Sequence, residues 1–258
     1  MKEIIYKLNE DVTKFYQGNL HLSEVAQEYL KSRKINDETI EKFKIGYAGS
    51  GKEVYKYLIE KGYTNEEIEA STICRKTEDG NYIDIFNNRI ILPIFDEKSR
   101  IIAFEGRVLD DSKPKYITSP ENIVYSKGEN LFGINIAKNY CKEGLIVVEG
   151  YIDAISLHQR GIKNVVALLG TAITEKQIQL IKQYTNNVIV VCDSDEAGKH
   201  ATFRIIDSVE LNGMNCRIAQ FECSKDPDEY INKYGADQIK TLFDNSVSSM
   251  EFKKMSKY

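Results

Sequence analysis

The sequence predicts an α/β protein in two parts: an N-terminal mixed α+β subdomain over residues 1–140, then a parallel-type sheet flanked by helices over residues 141–258. Three observations carry this. From Gly144 onward, short β-rich runs alternate with stretches of helical length. Residues 82–108 alternate apolar runs about one charged turn, and the first 70 residues set their apolar positions at helical spacing.

In chain order, Leu20, Val25, Tyr29 and Leu30 fall near a 3.6-residue period, Asp37 opens a short helix through Phe43, and Glu53 to Gly62 reads as a third helix ended by its glycine. The segment NNRIILPIFDEKSRIIAFEGRV reads as antiparallel strands about Glu97-Lys98-Ser99-Arg100. LIVVE (145–149), NVVALL (164–169), NVIVVC (187–192) and CRIAQF (216–221) are the β-rich runs of the second part. Between them lie 152–161, 174–184 and 196–212, each long enough for a helix. Strand, helix, strand, helix is the pattern of a parallel sheet with helices on its faces.

With 258 residues, 42% hydrophobic and 29% charged, the chain has the composition of a folded globular protein and not of a disordered or collagen-like one. No run approaches the roughly 18 apolar residues of a membrane helix. The opening MKEIIYKLNEDVTKFY is too charged for a signal peptide, so a cytoplasmic protein is expected. The net charge of −4 excludes bulk positive charge as a means of attracting nucleic acid. That charge is uneven. Residues 1–97 hold 14 basic and 18 acidic groups, residues 98–140 hold 7 and 5, and residues 141–258 hold 14 and 16, so the middle segment alone is net basic. The five cysteines, Cys74, Cys141, Cys192, Cys216 and Cys223, include no CxxC pair, and His21, His158 and His200 are scattered, so no zinc is expected. Cys192, in the run VIVVC, reads as a buried thiol.

Ligands of an open parallel sheet bind beyond the carboxyl ends of its strands, and there the sequence places its acids. Glu149 closes the first strand in VVEGYID, with Asp153 four residues on. Asp193 and Asp195 close the third in VVCDSDEAG, and Asp226 and Asp228 follow the fourth in SKDPDEYI. Six crowded carboxylates need compensating positive charge. Mg²⁺ suits them because it takes oxygen ligands and keeps waters for phosphates, and two such ions can clamp an in-line phosphoryl transfer. Acids after strands also serve as ordinary helix N-caps, the simpler reading of Asp153 or Asp195 taken singly. Gly150 permits the tight turn that aims Glu149. Gly198 permits close approach of backbone or phosphate, or fills a packing role.

VVEGYIDAI, LLGTAIT (168–174) and VVCDSDEAG together resemble the TOPRIM domain of primases, topoisomerases and some nucleases. FEGRVLDDSKPKYITSPENIVYSKGENLFG (104–133) resembles the basic motif region of bacterial DnaG-type DNA primases. NEDVTKFYQGNL and EYLKSRKINDETIEKFKIGYAG resemble the start of that family's catalytic core, and KDPDEYI (225–231) its third acidic motif. The resemblance spans nearly the whole chain. It implies a nucleotidyltransferase, a DNA-directed RNA polymerase that makes RNA primers on single-stranded DNA from ribonucleoside triphosphates during replication. Carried over by motif, Glu149, Asp193 and Asp195 would be the catalytic metal-binding acids, completed by Asp153, Asp226 and Asp228. The cofactor would be Mg²⁺ or Mn²⁺, two or more ions. Arg107, Lys115, Tyr116, Lys127 and, less directly, Arg33 would line a channel for template or nucleotide phosphates. A monomer is expected, with no membrane partner.

The family pattern begins with a zinc ribbon and continues into a helicase-binding domain. This sequence shows neither and stops about 30 residues after Asp228, so it reads as an excised fragment or a naturally short relative, and a replicative helicase would be met only through the domain not present. Glu129 stands where the family often has a basic residue and Thr118 where Asn is common. Two rival readings are a TOPRIM nuclease or topoisomerase, which would lack the KPKY segment, and a non-catalytic single-strand-binding module, whose DNA affinity would ignore the acids. GYAGSGKE (46–53) imitates a phosphate-binding loop but ends in Glu53 where Ser or Thr is needed. Omitting the six proposed site acids leaves 35 basic against 33 acidic groups, so the acidity is partly a property of the site.

Overall fold

Ile5, Leu8, Val12, Tyr16 and Leu20 recur every three or four residues, and in the computed structural model they form the buried stripe of a first helix, α1 (Lys2–Leu22). The structure describes residues 1–50, 53–170, 172–221 and 224–256. The chain divides into two compact units, residues 1–126 and 127–258.

In the first unit α1 is followed by α2 (Glu24–Ser32) and α3 (Asp37–Phe43). The apolar period that runs from Leu20 to Leu30 is interrupted at Ser23, whose hydroxyl accepts the Ala26 N–H and starts a new helix. Then come β1 (Gly46–Ala48), α4 (Val54–Glu60), α5 (Asn65–Ser71), β2 (Cys74–Lys76), β3 (Tyr82–Asp84), β4 (Arg89–Phe95), β5 (Ile101–Val108) and β6 (Tyr116–Thr118). The expected hairpin is β4–β5, turning at residues 96–100, where the Asp96 carboxylate accepts the N–H groups of Lys98 and Arg100. Over the described residues it lies in an antiparallel sheet of order β1-β4-β5-β6, against which Leu8, Val12 and Tyr16 of α1 pack with Phe86 and Phe104.

The second unit opens with a 3₁₀ turn (Lys127–Glu129) and α6 (Ile134–Ala137). It continues through β7 (Leu145–Val148), α7 (Tyr151–Gln159), β8 (Val165–Ala167), α8 (Glu175–Lys182), β9 (Asn187–Val191), α9 (Glu196–Leu211) and β10 (Asn215–Ile218), then α10 (Pro227–Tyr234), α11 (Ala236–Asp244), β11 (Val247–Ser248) and α12 (Ser249–Met255). Over the described residues the sheet order is β11-β10-β9-β7-β8, parallel except for β11. This is the α/β arrangement the alternating runs predict. Residues 127–140 pack with this unit: Leu131, Ile134 and Ala137 join its core, and Phe132 bridges Ala167. Cys74, Cys141, Cys192 and Cys216 are buried free thiols, while Cys223 lies outside the described residues. Among the described residues no helix is long and apolar enough to cross a membrane.

Candidate active site

Parallel pairing sets Val148 of β7 beside Val191 of β9 and Ala167 of β8, so these strands end at one edge. Glu149 leaves β7 there, and Asp193 and Asp195 leave β9. The turn after β10 is tied in when the Ser194 N–H donates to the Lys225 carbonyl at 3.0 Å, which brings Asp226 and Asp228 to the same edge. Asp153 joins them from the first turn of α7. The six acids chosen from the sequence are thus neighbours within one unit.

Their bonding divides them. Asp195 is the N-cap of α9, accepting the Gly198 N–H at 2.8 Å, and Asp226 is the N-cap of α10, accepting the Glu229 N–H at 2.8 Å. The capping role is real for these two, and each still presents a second carboxylate oxygen. Asp153 is buried and is no cap: its Oδ1 accepts the Asp228 N–H at 3.0 Å. Asp228 in turn accepts from the Ser156 hydroxyl and, at 2.8 Å, from Asn232 Nδ2. This clasp holds α10 against α7. Glu149 Oε1 accepts the Asp193 N–H at 3.3 Å. No hydrogen-bond donor among the described residues meets the Asp193 carboxylate itself. Two glycines permit the crowding. A Cβ on Gly150 would stand 2.2 Å from Asp153 Oδ2, and one on Gly198 would stand 2.1 Å from the Asp193 carbonyl oxygen.

Electrostatics register the crowding. Burial first, then Glu149 and Asp226, push the Asp193 carboxyl up to about 6, with Lys225 opposing. Asp153 is raised well above the ordinary carboxylate range by burial, with Asp226, Asp193 and Asp228 adding to it and the bond from Asp228 opposing. These hard oxygens, outnumbering the cations near them, are the donor set a divalent ion takes. Among the described residues no group of three or more Asp, Glu, His or Cys side chains is gathered as a single ion's ligand sphere requires. One consequence is measurable. A carboxyl whose folded value lies above its unfolded one stabilises the fold at low pH, and that stability is lost as pH rises through the folded value. In EDTA the melting temperature should therefore fall as pH rises through about 6, Asp193 contributing about 1–2 kcal/mol. Asp193→Asn should flatten part of that slope in a thermal scan, and an unchanged slope would contradict the assignment.

Lys127 is brought to the same sheet edge. Its Cε lies 3.5 Å from where a Cβ on Gly170 would stand, in the turn leaving β8. Thr171 of that LLGTAIT turn lies outside the described residues.

The other basic candidates gather in the first unit. Arg107 on β5 pairs in register with Tyr116 on β6. Its guanidinium carbon lies 5.0 Å from the Tyr116 ring centre and 5.7 Å from that of Tyr29, and it donates to both tyrosine hydroxyls. Arg33, at the end of α2, lies 5.6 Å from the same Tyr29 ring, and the Lys115 amine 6.0 Å from Tyr116. Arg107 is only 5% exposed, so it is a buried member of a cation–aromatic cluster and not a solvated surface group.

The loop that imitates a phosphate site is filled from within. The Asp84 carboxylate accepts the N–H groups of Glu53, Val54 and Tyr55 at 3.0–3.1 Å, occupying the anion seat at the start of α4. Gly51 and Lys52 of that motif lie outside the described residues.

Comparison with known proteins sets these two clusters in context. Residues 15–138 match the model of the DNA primase catalytic core, N-terminal domain, and residues 146–231 match a Toprim-like family. The DNA primase of Clostridium acetobutylicum is 42% identical over 252 residues, covering 96% of this chain and 42% of its own length. The crystal structure of the zinc-binding and RNA polymerase domains of Aquifex aeolicus primase superposes with a TM-score of 0.91 at 37% identity, covering 97% of this chain and 63% of that one. A DnaG primase catalytic domain bound to single-stranded DNA gives 0.85 at 32% identity, with 96% and 82% covered. The chain belongs to the DnaG-type DNA primase family. It spans less than half the length of the Clostridium relative. The DnaG-type primases are metal-dependent enzymes, and the acidic edge is where this member's oxygen donors converge.

Within this primase core, two residues had no distinguishing sequence signal. Tyr29 reads as one more apolar position of α2, yet it joins Arg33 to Arg107. Arg89, 7% exposed, donates from Nη1 to the carbonyls of Gly106 (3.1 Å) and Lys115 (3.3 Å) and from Nη2 to that of Pro114 (2.9 Å), fixing the segment that carries Lys115 and Tyr116. Glu129 is ion-paired with Lys176.

Proposed function

We propose that the chain is the catalytic core of a DNA primase, which joins ribonucleoside triphosphates into short RNA primers on a single-stranded DNA template during replication. The observation that carries this is the delivery of six carboxylates and Lys127 to one sheet edge in a member of the primase family. A relative bound to single-stranded DNA supports the template class. In the reaction the 3′-hydroxyl of the growing RNA attacks the α-phosphorus of the incoming triphosphate. The new phosphodiester forms as the α–β bridge breaks, the hydroxyl proton is lost to solvent and pyrophosphate leaves.

Glu149, Asp193 and Asp195 would hold Mg²⁺ or Mn²⁺, as two ions, with Asp153, Asp226 and Asp228 completing the site; bound, the ions supply activation of the attacking oxygen and neutralisation of the leaving group. Asp195 and Asp226 present oxygens already oriented by their capping bonds, and the Asp153–Asp228 clasp keeps the turn after β10 in place. Lys127 attracts the triphosphate or template phosphates. Arg33, Arg107 and Lys115 supply sequence-independent phosphate attraction, and Tyr116, with Tyr29, offers a face for a base. The protein acts as a monomer in the cytoplasm.

The direct test is ribonucleotide incorporation on a single-stranded DNA oligomer with Mg²⁺ or Mn²⁺. RNA products that disappear with EDTA are expected, and equal incorporation by Asp193→Ala would overturn the reading. The basic cluster has its own test. Arg107→Ala should weaken single-strand binding about three- to tenfold and reduce the log–log salt slope, because its buried charge adds to the positive field of the cluster and its bonds hold Tyr29 and Tyr116. A slope that does not move removes Arg107 from the channel.

A further inference from the structure

Gln177 lies in the first turn of α8 and is 1% exposed, an unusual burial for a glutamine there. Its Oε1 accepts the Thr174 N–H at 3.0 Å, the ordinary bond of a capping box. Its Nε2 does something a capping box does not require: it donates to the Asn130 carbonyl at 2.8 Å and to the Lys127 carbonyl at 3.3 Å. One amide therefore grips both ends of the short turn that carries Lys127. Thr174, the cap itself, donates its hydroxyl to the Gly128 carbonyl between them. A Cβ on Gly128 would meet Thr174 Cγ2 at 3.4 Å, so the turn also lies flat on the helix start. A further tether, Lys176 to Glu129, is a largely exposed ion pair of the kind that contributes little.

We propose that Gln177 is a positioning residue for nucleotide or template phosphate: by holding the Lys127 backbone it delivers the Lys127 amine over Gly170 to the acidic sheet edge. This rests on the reading of Lys127 as a phosphate contact. Buried donors fix a backbone well because leaving the facing carbonyls unmet is costly. Lysine's flexible stem gives an amine no fixed position unless its root is held.

The test is salt-dependent binding of a fluorescent single-stranded oligodeoxynucleotide at constant Mg²⁺, using the whole chain. Lys127→Ala should weaken binding about fivefold and lower the log–log salt slope by about 0.7. Gln177→Met keeps the length and loses the donors, and it should reproduce at least half of both changes. The double variant should be no weaker than Lys127→Ala alone, because the second change acts only through the first. Gln177→Glu also loses the donors while keeping the acceptor for Thr174, and it carries the test if Gln177→Met does not fold. Retention of wild-type slope and affinity in the Gln177 variants, or losses that add to those of Lys127→Ala, would overturn the proposal. If Lys127→Ala has no effect while Arg107→Ala keeps its own, the phosphate role of Lys127 fails and the role of Gln177 fails with it. That pattern differs from one in which Lys127→Ala acts and Gln177→Met does not.

Discussion

Asp193→Ala is expected to lower ribonucleotide incorporation by at least about 10³-fold, equivalent to about 4 kcal/mol of transition-state stabilisation, while making the metal-free protein more stable. The two effects have one cause. Asp193 is a half-buried carboxylate with Glu149, Asp195 and Asp226 as neighbours, and burial and those neighbours push its carboxyl up to about 6, disfavouring the charged form. Removing it relieves repulsion, so at pH 8 in EDTA the variant should melt higher, by about 1–2 kcal/mol of added stability. Removing it also takes away the carboxylate best placed, without a competing hydrogen bond, to bind a divalent ion. Loss of activity with gain of stability separates this from simple unfolding, which would lower both. Single-strand affinity at low Mg²⁺ should stay within about twofold of wild type, since phosphate contacts reside in the basic residues. A variant that loses activity and melts lower in EDTA would show that Asp193 supports the fold and not the chemistry.

The acids were legible because a parallel sheet sends its strand ends to one edge, so three motifs separated by tens of residues converge by topology alone. The hairpin β4–β5 was legible for a related reason: two apolar runs about a charged turn have one simple pairing. What each acid does was not legible. Asp226 and Asp195 obey the local rule for N-caps, but the bond from the Asp228 N–H to Asp153 joins residues 75 apart, and no spacing rule reaches that far. Arg89 sits at the head of a strand pattern and looks like an edge cation, yet it is buried under the backbone of residues 114 and 115. The β2–β3 hairpin and β6 were missed because three-residue strands carry too little alternation to register. Packing also assigns residues 127–140 to the second unit, whereas the basic composition of 98–140 ties them to the first. Composition records which charges travel together, and packing records which apolar side chains, here Leu131, Ile134 and Ala137, find a core.

Gly198→Ala should destabilise the protein by about 1–2 kcal/mol net and cut incorporation by about 10²-fold, although helix propensity alone favours the change by about 1 kcal/mol. Gly198 is in the first turn of α9, and its N–H is held by the Asp195 cap. A Cβ there would stand 2.1 Å from the Asp193 carbonyl oxygen, 2.7 Å from its carbonyl carbon and 2.9 Å from its nitrogen. All three are backbone atoms, so no side chain can swing aside. Relief requires moving the turn that carries Asp193 and Asp195 or lifting the helix start, and either breaks the cap and displaces the acids. Overpacking of this kind costs about 1–3 kcal/mol in a well-packed site, and displaced ligands add the loss of activity. Gly18→Ala is the control. Gly18 is an exposed interior position of α1, where a Cβ would meet nothing within 4 Å, and the same substitution there should stabilise by about 0.5–1 kcal/mol with activity unchanged. Opposite signs in the two melting curves are the expected result. Stabilisation at both positions would mean that the turn after β9 yields to a methyl group without cost, and that close backbone approach is not what Gly198 provides.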